Sequence, residues 1–122
     1  MGLLIELTKL PVPPSVNSCY SMRRAGARIM KFRSHKFNEY IRYMEYIYHD
    51  QHLVTVCTPI MLDVCLYFKG RISDIDNVLK VLFDGLQYSR IISNDSQIKK
   101  LTIEVKKSPC QEAYLDLAIY EY

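Results

Sequence analysis

Residues 60–86, IMLDVCLYFKGRISDIDNVLKVLFDGL, change their apolar period part-way along. The even positions Ile60, Leu62, Val64, Leu66 and Phe68 are uniformly apolar, with Asp63 and Tyr67 between them. Such alternation predicts a strand with one face on a core and one wetter face. From Ile75 the apolar positions Ile75, Val78, Leu79, Leu82, Phe83 and Leu86 recur at helical spacing, which predicts an amphipathic helix. KGRIS turns the chain between the two, and Asp74, or Ser73 before it, is placed to cap the helix. A strand running into a helix in this way indicates layered α and β structure.

The flanks extend that pattern. LLIELT (3–8) reads as a first strand. LPVPPSVNSCY (10–20) then stops regular structure, because its prolines remove donors and restrict their neighbours. Residues 28–33 suit a short edge strand, and Ser34 caps a helix whose apolar positions are Phe37, Tyr40, Ile41, Met44, Ile47 and Tyr48. Downstream, ISNDS is a turn, followed by two antiparallel strands, 98–107 and 113–122, joined by SPCQE. The order β-α-β-α-β-β predicts one α+β domain over residues 1–122, a mixed sheet packed by two helices.

A chain of 122 residues supports one core. No apolar run approaches the ~20 residues of a membrane span. The opening MGLLIELTKL is interrupted by Glu6 and Lys9, which argues against a signal peptide, and Glu6 occupies the Ser/Thr position of a myristoylation motif. A cytoplasmic protein without a membrane partner is expected. Cys19, Cys57, Cys65 and Cys110 form no C-x-x-C pair and no zinc spacing, so reduced, structural thiols are expected, with Cys57 and Cys65 as small hydrophobes. Net charge is +3 but uneven: between residues 21 and 42, Arg23, Arg24, Arg28, Lys31, Arg33, Lys36 and Arg42 face Glu39 alone. A local basic field beside an acidic body suits an anionic polymer, although a solvated loop and helix face would also account for it.

Asp74-x-Asp76-Asn77-x-x-Lys80 admits two readings. Asp74 as a cap and Asp76–Lys80 as an i,i+4 pair explain the residues through helix stability alone. The sharper reading adds Asp95, at the far end of the connection after this helix. If the chain doubles back there, three carboxylates meet. Two carboxylates ~4 Å apart repel by about 4 kcal/mol at an effective dielectric near 20, so the cluster needs a cation. Oxygen ligands of this kind fit Mg²⁺ or Mn²⁺, which can activate water and stabilise a phosphodiester's charge, with Lys80 as a fixed cation.

DIDNVLKVLFDGL followed by IISNDSQI resembles the RusA family of Holliday junction resolvases. LPVPPSVNSCY is similar to that family's opening loop, and RIMKF leading into a helix fits its next segment. The resemblance spans essentially the whole chain and implies a Mg²⁺- or Mn²⁺-dependent endodeoxyribonuclease. It implies a homodimer that nicks four-way junctions symmetrically, of bacterial or phage origin. Asp74, Asp76 and Asp95 would then be the metal-binding catalytic acids and Lys80 the catalytic lysine. DNA contacts would come from Asn17, from the basic segment (Arg23, Arg24, Arg28, Lys31, Arg33, Lys36), and from Lys69 and Arg71. One departure is that the approach to the acids, often rich in arginine, offers only Lys69 and Arg71. The dimer interface is expected on an apolar patch of the sheet or around Tyr43 and Tyr46.

Three other readings compete. Asp95 with Glu104-x-Lys106 has the form of a restriction-endonuclease site but leaves Asp74 and Asp76 idle. A non-catalytic DNA-binding protein gains nothing from clustered carboxylates beside phosphates. Action on forks or flaps uses the same chemistry and differs only in substrate shape.

Overall fold

A computed structural model describes residues 2–70 and 74–122 of the chain. In chain order the elements are β1 (Leu3–Pro11), α1 (Val16–Cys19), β2 (Tyr20–Ala25), β3 (Arg28–Arg33), α2 (His35–Asp50), β4 (Ile60–Phe68), α3 (Ile75–Tyr88), a 3-10 turn (Asp95–Gln97), β5 (Ile98–Lys107) and β6 (Tyr114–Glu121). The α+β architecture matches the sequence reading. β4 alternates as predicted, its even residues buried and its odd residues half-buried.

The strands form a four-stranded mixed sheet in the order β1-β6-β4-β5. β4 runs parallel to β5 and antiparallel to β6. Parallel neighbours need a crossover, and α3 supplies it. The last two strands are thus opposed in direction, but they do not pair with each other, because β4 lies between them. Composition explains the placement. β6 carries the buried residues Leu115, Leu117 and Ile119, in register with Leu66, Val64 and Leu62 of β4, and belongs inside the sheet. β5 is lysine-rich and largely exposed, which suits an edge.

The short strand expected over residues 28–33 is present as β3, whereas the turn α1 and the strand β2 escaped the sequence reading. β1 runs on through Pro11, tolerable because β1 is an edge strand, and the proline-rich loop ends in the single turn α1. β2 and β3 form a separate antiparallel hairpin closed by Ala25↔Arg28. Its two-residue loop begins with Gly26 at φ 65, the glycine-first pattern that matches strand twist in a tight hairpin.

The helices pack on the even face of β4. Ser34 caps α2, its hydroxyl accepting from the Phe37 N–H at 3.2 Å, and Phe37, Tyr40, Ile41 and Met44 are buried. Ile47 and Tyr48 lie partly buried at the margin. On α3 the buried residues are Val78, Val81, Leu82, Gly85 and Leu86, whereas Ile75, Leu79 and Phe83 are half-buried. The stripe is therefore rotated from the predicted one. Gly85 is the reason: the Tyr40 ring sits where a side chain would be, and a Cβ there would meet Tyr40 Cε2 at 2.9 Å. Gly85→Ala should gain about 1 kcal/mol of helix propensity but lose about 1–3 kcal/mol by overpacking. A net loss of stability is the expected result of urea unfolding.

The four cysteines are unpaired. The small-hydrophobe role falls to Cys19, which is buried, while Cys57 is exposed and contacts Ser93 Oγ at 3.1 Å.

Candidate functional site

Asp74 occupies the N-cap position of α3 with extended backbone, yet its carboxylate makes no capping hydrogen bond. Asp76 follows in the first turn. The ion pairs among the described residues are His35–Glu39 and Glu104–Lys106, so Asp76 and Lys80 are not joined. Asp74, Asp76 and Lys80 are all exposed. The capping bond and the ion pair are thus absent, and Asp76 keeps only its place in the first turn, where an acid suits the helix dipole. At ~100° per residue, Asp76, Lys80 and Gln87 share one polar face of α3, opposite the buried stripe.

Asp95 begins the 3-10 turn. Asn94 caps that turn: its side chain accepts from the Ser96 N–H at 2.9 Å, and Gln97 Oε1 accepts from the Asn94 N–H at 2.7 Å. Gln97 Nε2 also donates to the carbonyls of Val56 and Thr58, at 2.9 and 2.8 Å. The Asp95 N–H donates to Gln87 Oε1 at 3.1 Å, and its carboxylate belongs to an exposed residue. Asp76 and Gln87 are separated by ~16 Å of helix rise. Asp95 therefore docks toward the opposite end of the face from Asp76. Among the described residues, no group of three or more His, Cys, Asp or Glu could hold a metal ion. A single chain brings Asp74 and Asp76 to one helix start and leaves Asp95 apart from them.

The basic residues concentrate on the hairpin. Arg23 and Arg24 lie on β2, Arg28, Lys31 and Arg33 on β3, and Lys36 in the first turn of α2; all are exposed. Asn17 is exposed on α1, and Lys69 is exposed where the chain leaves β4, just before Gly70 at φ 75. Arg71 and Ser73 lie outside the described residues. The hairpin's base is fixed to the body. Tyr20 Oη donates to Asp84 Oδ2 at 2.8 Å, and burial with this bond raises the phenol's pKa. Arg33 lies over the Tyr88 ring at 4.8 Å. Asp84 is thereby occupied in anchoring the hairpin.

Comparison with known protein families matches residues 11–118 to Endodeoxyribonuclease RusA. The chain belongs to the RusA family. Comparison with curated proteins finds no match. No helix among the described residues is long and apolar enough to cross a membrane.

In this RusA-family chain the restriction-type alternative does not converge. Glu104 and Lys106 pair with each other at 3.6 Å on β5, and the strand between Ile98 and Glu104 extends ~20 Å from the turn that holds Asp95. Glu104 instead shares a shallow pocket with Glu6, Asp63 and Asp116. Sequence reasoning missed Gln87 and Gln97, which fix the Asp95 turn through hydrogen bonds: Asn94-x-x-Gln97 is a local capping box that could have signalled it, whereas the bonds to Gln87, Val56 and Thr58 have no local motif. Gln97→Ala removes three of these bonds. If Asp95 holds a metal, the variant should lower cleavage by about 10–100-fold, the usual effect of losing a ligand's support. In that case raising Mg²⁺ should recover part of the loss in a steady-state assay, since the acid itself remains.

Proposed function

We propose that this RusA-family endodeoxyribonuclease resolves four-way DNA junctions by paired nicks, as a metal-dependent homodimer. The observation that carries the reading is the start of α3. Asp74 and Asp76 are exposed there, one turn from Lys80, and among the described residues Asp74 makes no capping bond and neither acid has an ion-pair partner. Exposed carboxylates repel DNA phosphates unless a cation lies between them. Their oxygen donors suit Mg²⁺, with Mn²⁺ as a substitute, and such an ion, when bound, stabilises charge at the cleaved phosphodiester. Lys80 shares the helix face and places a fixed positive charge beside that phosphate.

Asp95 completes the ligand set from a second copy. In one chain it docks toward the far end of the α3 face, and a two-fold assembly can lay the Asp95 end of one face against the Asp74–Asp76 end of the other. The same two-fold axis matches the symmetry of a four-way junction, so two sites address two equivalent strands. Exposed Tyr43 and Tyr46 on α2 offer apolar surface for the contact. The unpaired cysteines fit a reducing cytoplasm in a bacterial or phage-infected cell.

A cleavage panel of four-way junction, fork, flap and plain duplex tests the proposal. The expected result is paired symmetric nicks in the junction with Mg²⁺, none in EDTA, and slow cutting of the other substrates. Preferential cutting of flaps or forks would overturn the junction assignment. Failure to cut any DNA with Mg²⁺ or Mn²⁺ would overturn the enzymatic one.

A further inference from the structure

The β2–β3 hairpin contributes nothing to the buried core beyond its base, yet it exposes large apolar side chains. Met22 and Ile29 are 64% and 69% exposed. The register places Met22 opposite Lys31 and Arg24 opposite Ile29. Opposite residues share a face, so these four side chains form a checkerboard on which Met22 and Ile29 are diagonal neighbours, within reach of each other. Across its two strands the hairpin carries Arg23, Arg24, Arg28, Lys31 and Arg33 and no acidic residue. Tyr20, at its root on the same face, is tied to Asp84. The arm is therefore fixed at one end and free at its tip.

We propose that this arm enters the branch point of the DNA junction, with Met22 and Ile29 covering or parting base faces there. The proposal rests on the junction-binding reading. Two features select DNA as the occupant. The charge is wholly of one sign, which opposes a second copy of the same arm and favours a polyanion. A two-stranded ribbon is also of a size that DNA grooves admit. Isoleucine and methionine are among the side chains that wedge between base steps, because unstacked base faces are apolar. At a branch point, base pairs already lack a stacking neighbour, so unstacking costs least there. Arg24 and Lys31 flank the apolar pair and would meet the adjoining phosphates.

The test uses a four-way junction with 2-aminopurine beside the branch, bound in EDTA so that no strand is cut. Wild-type protein should raise the probe's fluorescence at saturation. Met22→Ala/Ile29→Ala should lose that rise at saturating protein. Its affinity should fall about tenfold, the order of a lost base contact, with the salt slope unchanged because every cation remains. Arg24→Ala/Lys31→Ala should do the reverse, lowering the salt slope by about 0.9 per lost phosphate contact. A rise retained by the apolar variant would overturn the proposal, as would a wild-type complex that forms without any rise. Loss of dimers by the apolar variant in light scattering would assign the arm to self-association instead. A wild-type protein that binds no junction would overturn the function on which the proposal rests.

Discussion

Asp76→Asn should abolish strand cleavage while junction binding persists or tightens. Asparagine preserves shape and helix position but removes the charge proposed to hold a divalent ion, so kcat should fall about a thousandfold or more, ~4 kcal/mol of transition-state stabilisation. Binding should not suffer, because one negative charge near the phosphates is gone. Asp74→Asn and Asp95→Asn should behave alike. Asp84→Asn is the matched control: it lies on the same helix, but its carboxylate accepts from Tyr20 Oη, a bond that an amide oxygen can still accept. That variant should keep most activity. Nicking by Asp76→Asn at the wild-type rate with saturating Mg²⁺ would remove these acids from the chemistry.

Much of the fold and the acid pair could be read locally. β4 and the first turns of α3 obey clean periods of two and 3.6, and Asp74 and Asp76 sit where the period changes. The rest depends on contacts across the chain. Gly85 is invisible to an apolar pattern, yet it receives the Tyr40 ring and rotates the whole buried stripe. The strand over 28–33 was expected, but its partner β2 has no buried face, so its mix of cations and apolar residues resembles neither a core strand nor a polar loop; Gly26 was the available signal for the hairpin. Strand order followed from which strands carry enough apolar surface for the interior, and β4 lies between β5 and β6. Asp95 was recognisable by its motif, but its place was not. That place follows from Gln87 and Gln97, whose hydrogen bonds tie the turn to the end of α3 and to the backbone after α2.

The position of Asp95 leads to the second prediction. If each site takes Asp74 and Asp76 from one protomer and Asp95 from its partner, two inactive proteins should restore each other. In a heterodimer of Asp76→Asn and Asp95→Asn chains, one site loses both residues. The other combines intact Asp74 and Asp76 with an intact Asp95. Free exchange of equal amounts yields heterodimers as about half of all dimers, so about a quarter of the wild-type number of sites should work. Each active heterodimer holds one site and should leave nicked junctions rather than resolved products. A site built within one chain behaves differently, since each protomer of the heterodimer then carries its own defect. Mixing the two variants, allowing subunit exchange and following junction nicking with Mg²⁺ tests the shared site most directly. Single nicks that appear only after exchange are the predicted result, and a mixture as inactive as its separate components would contradict it.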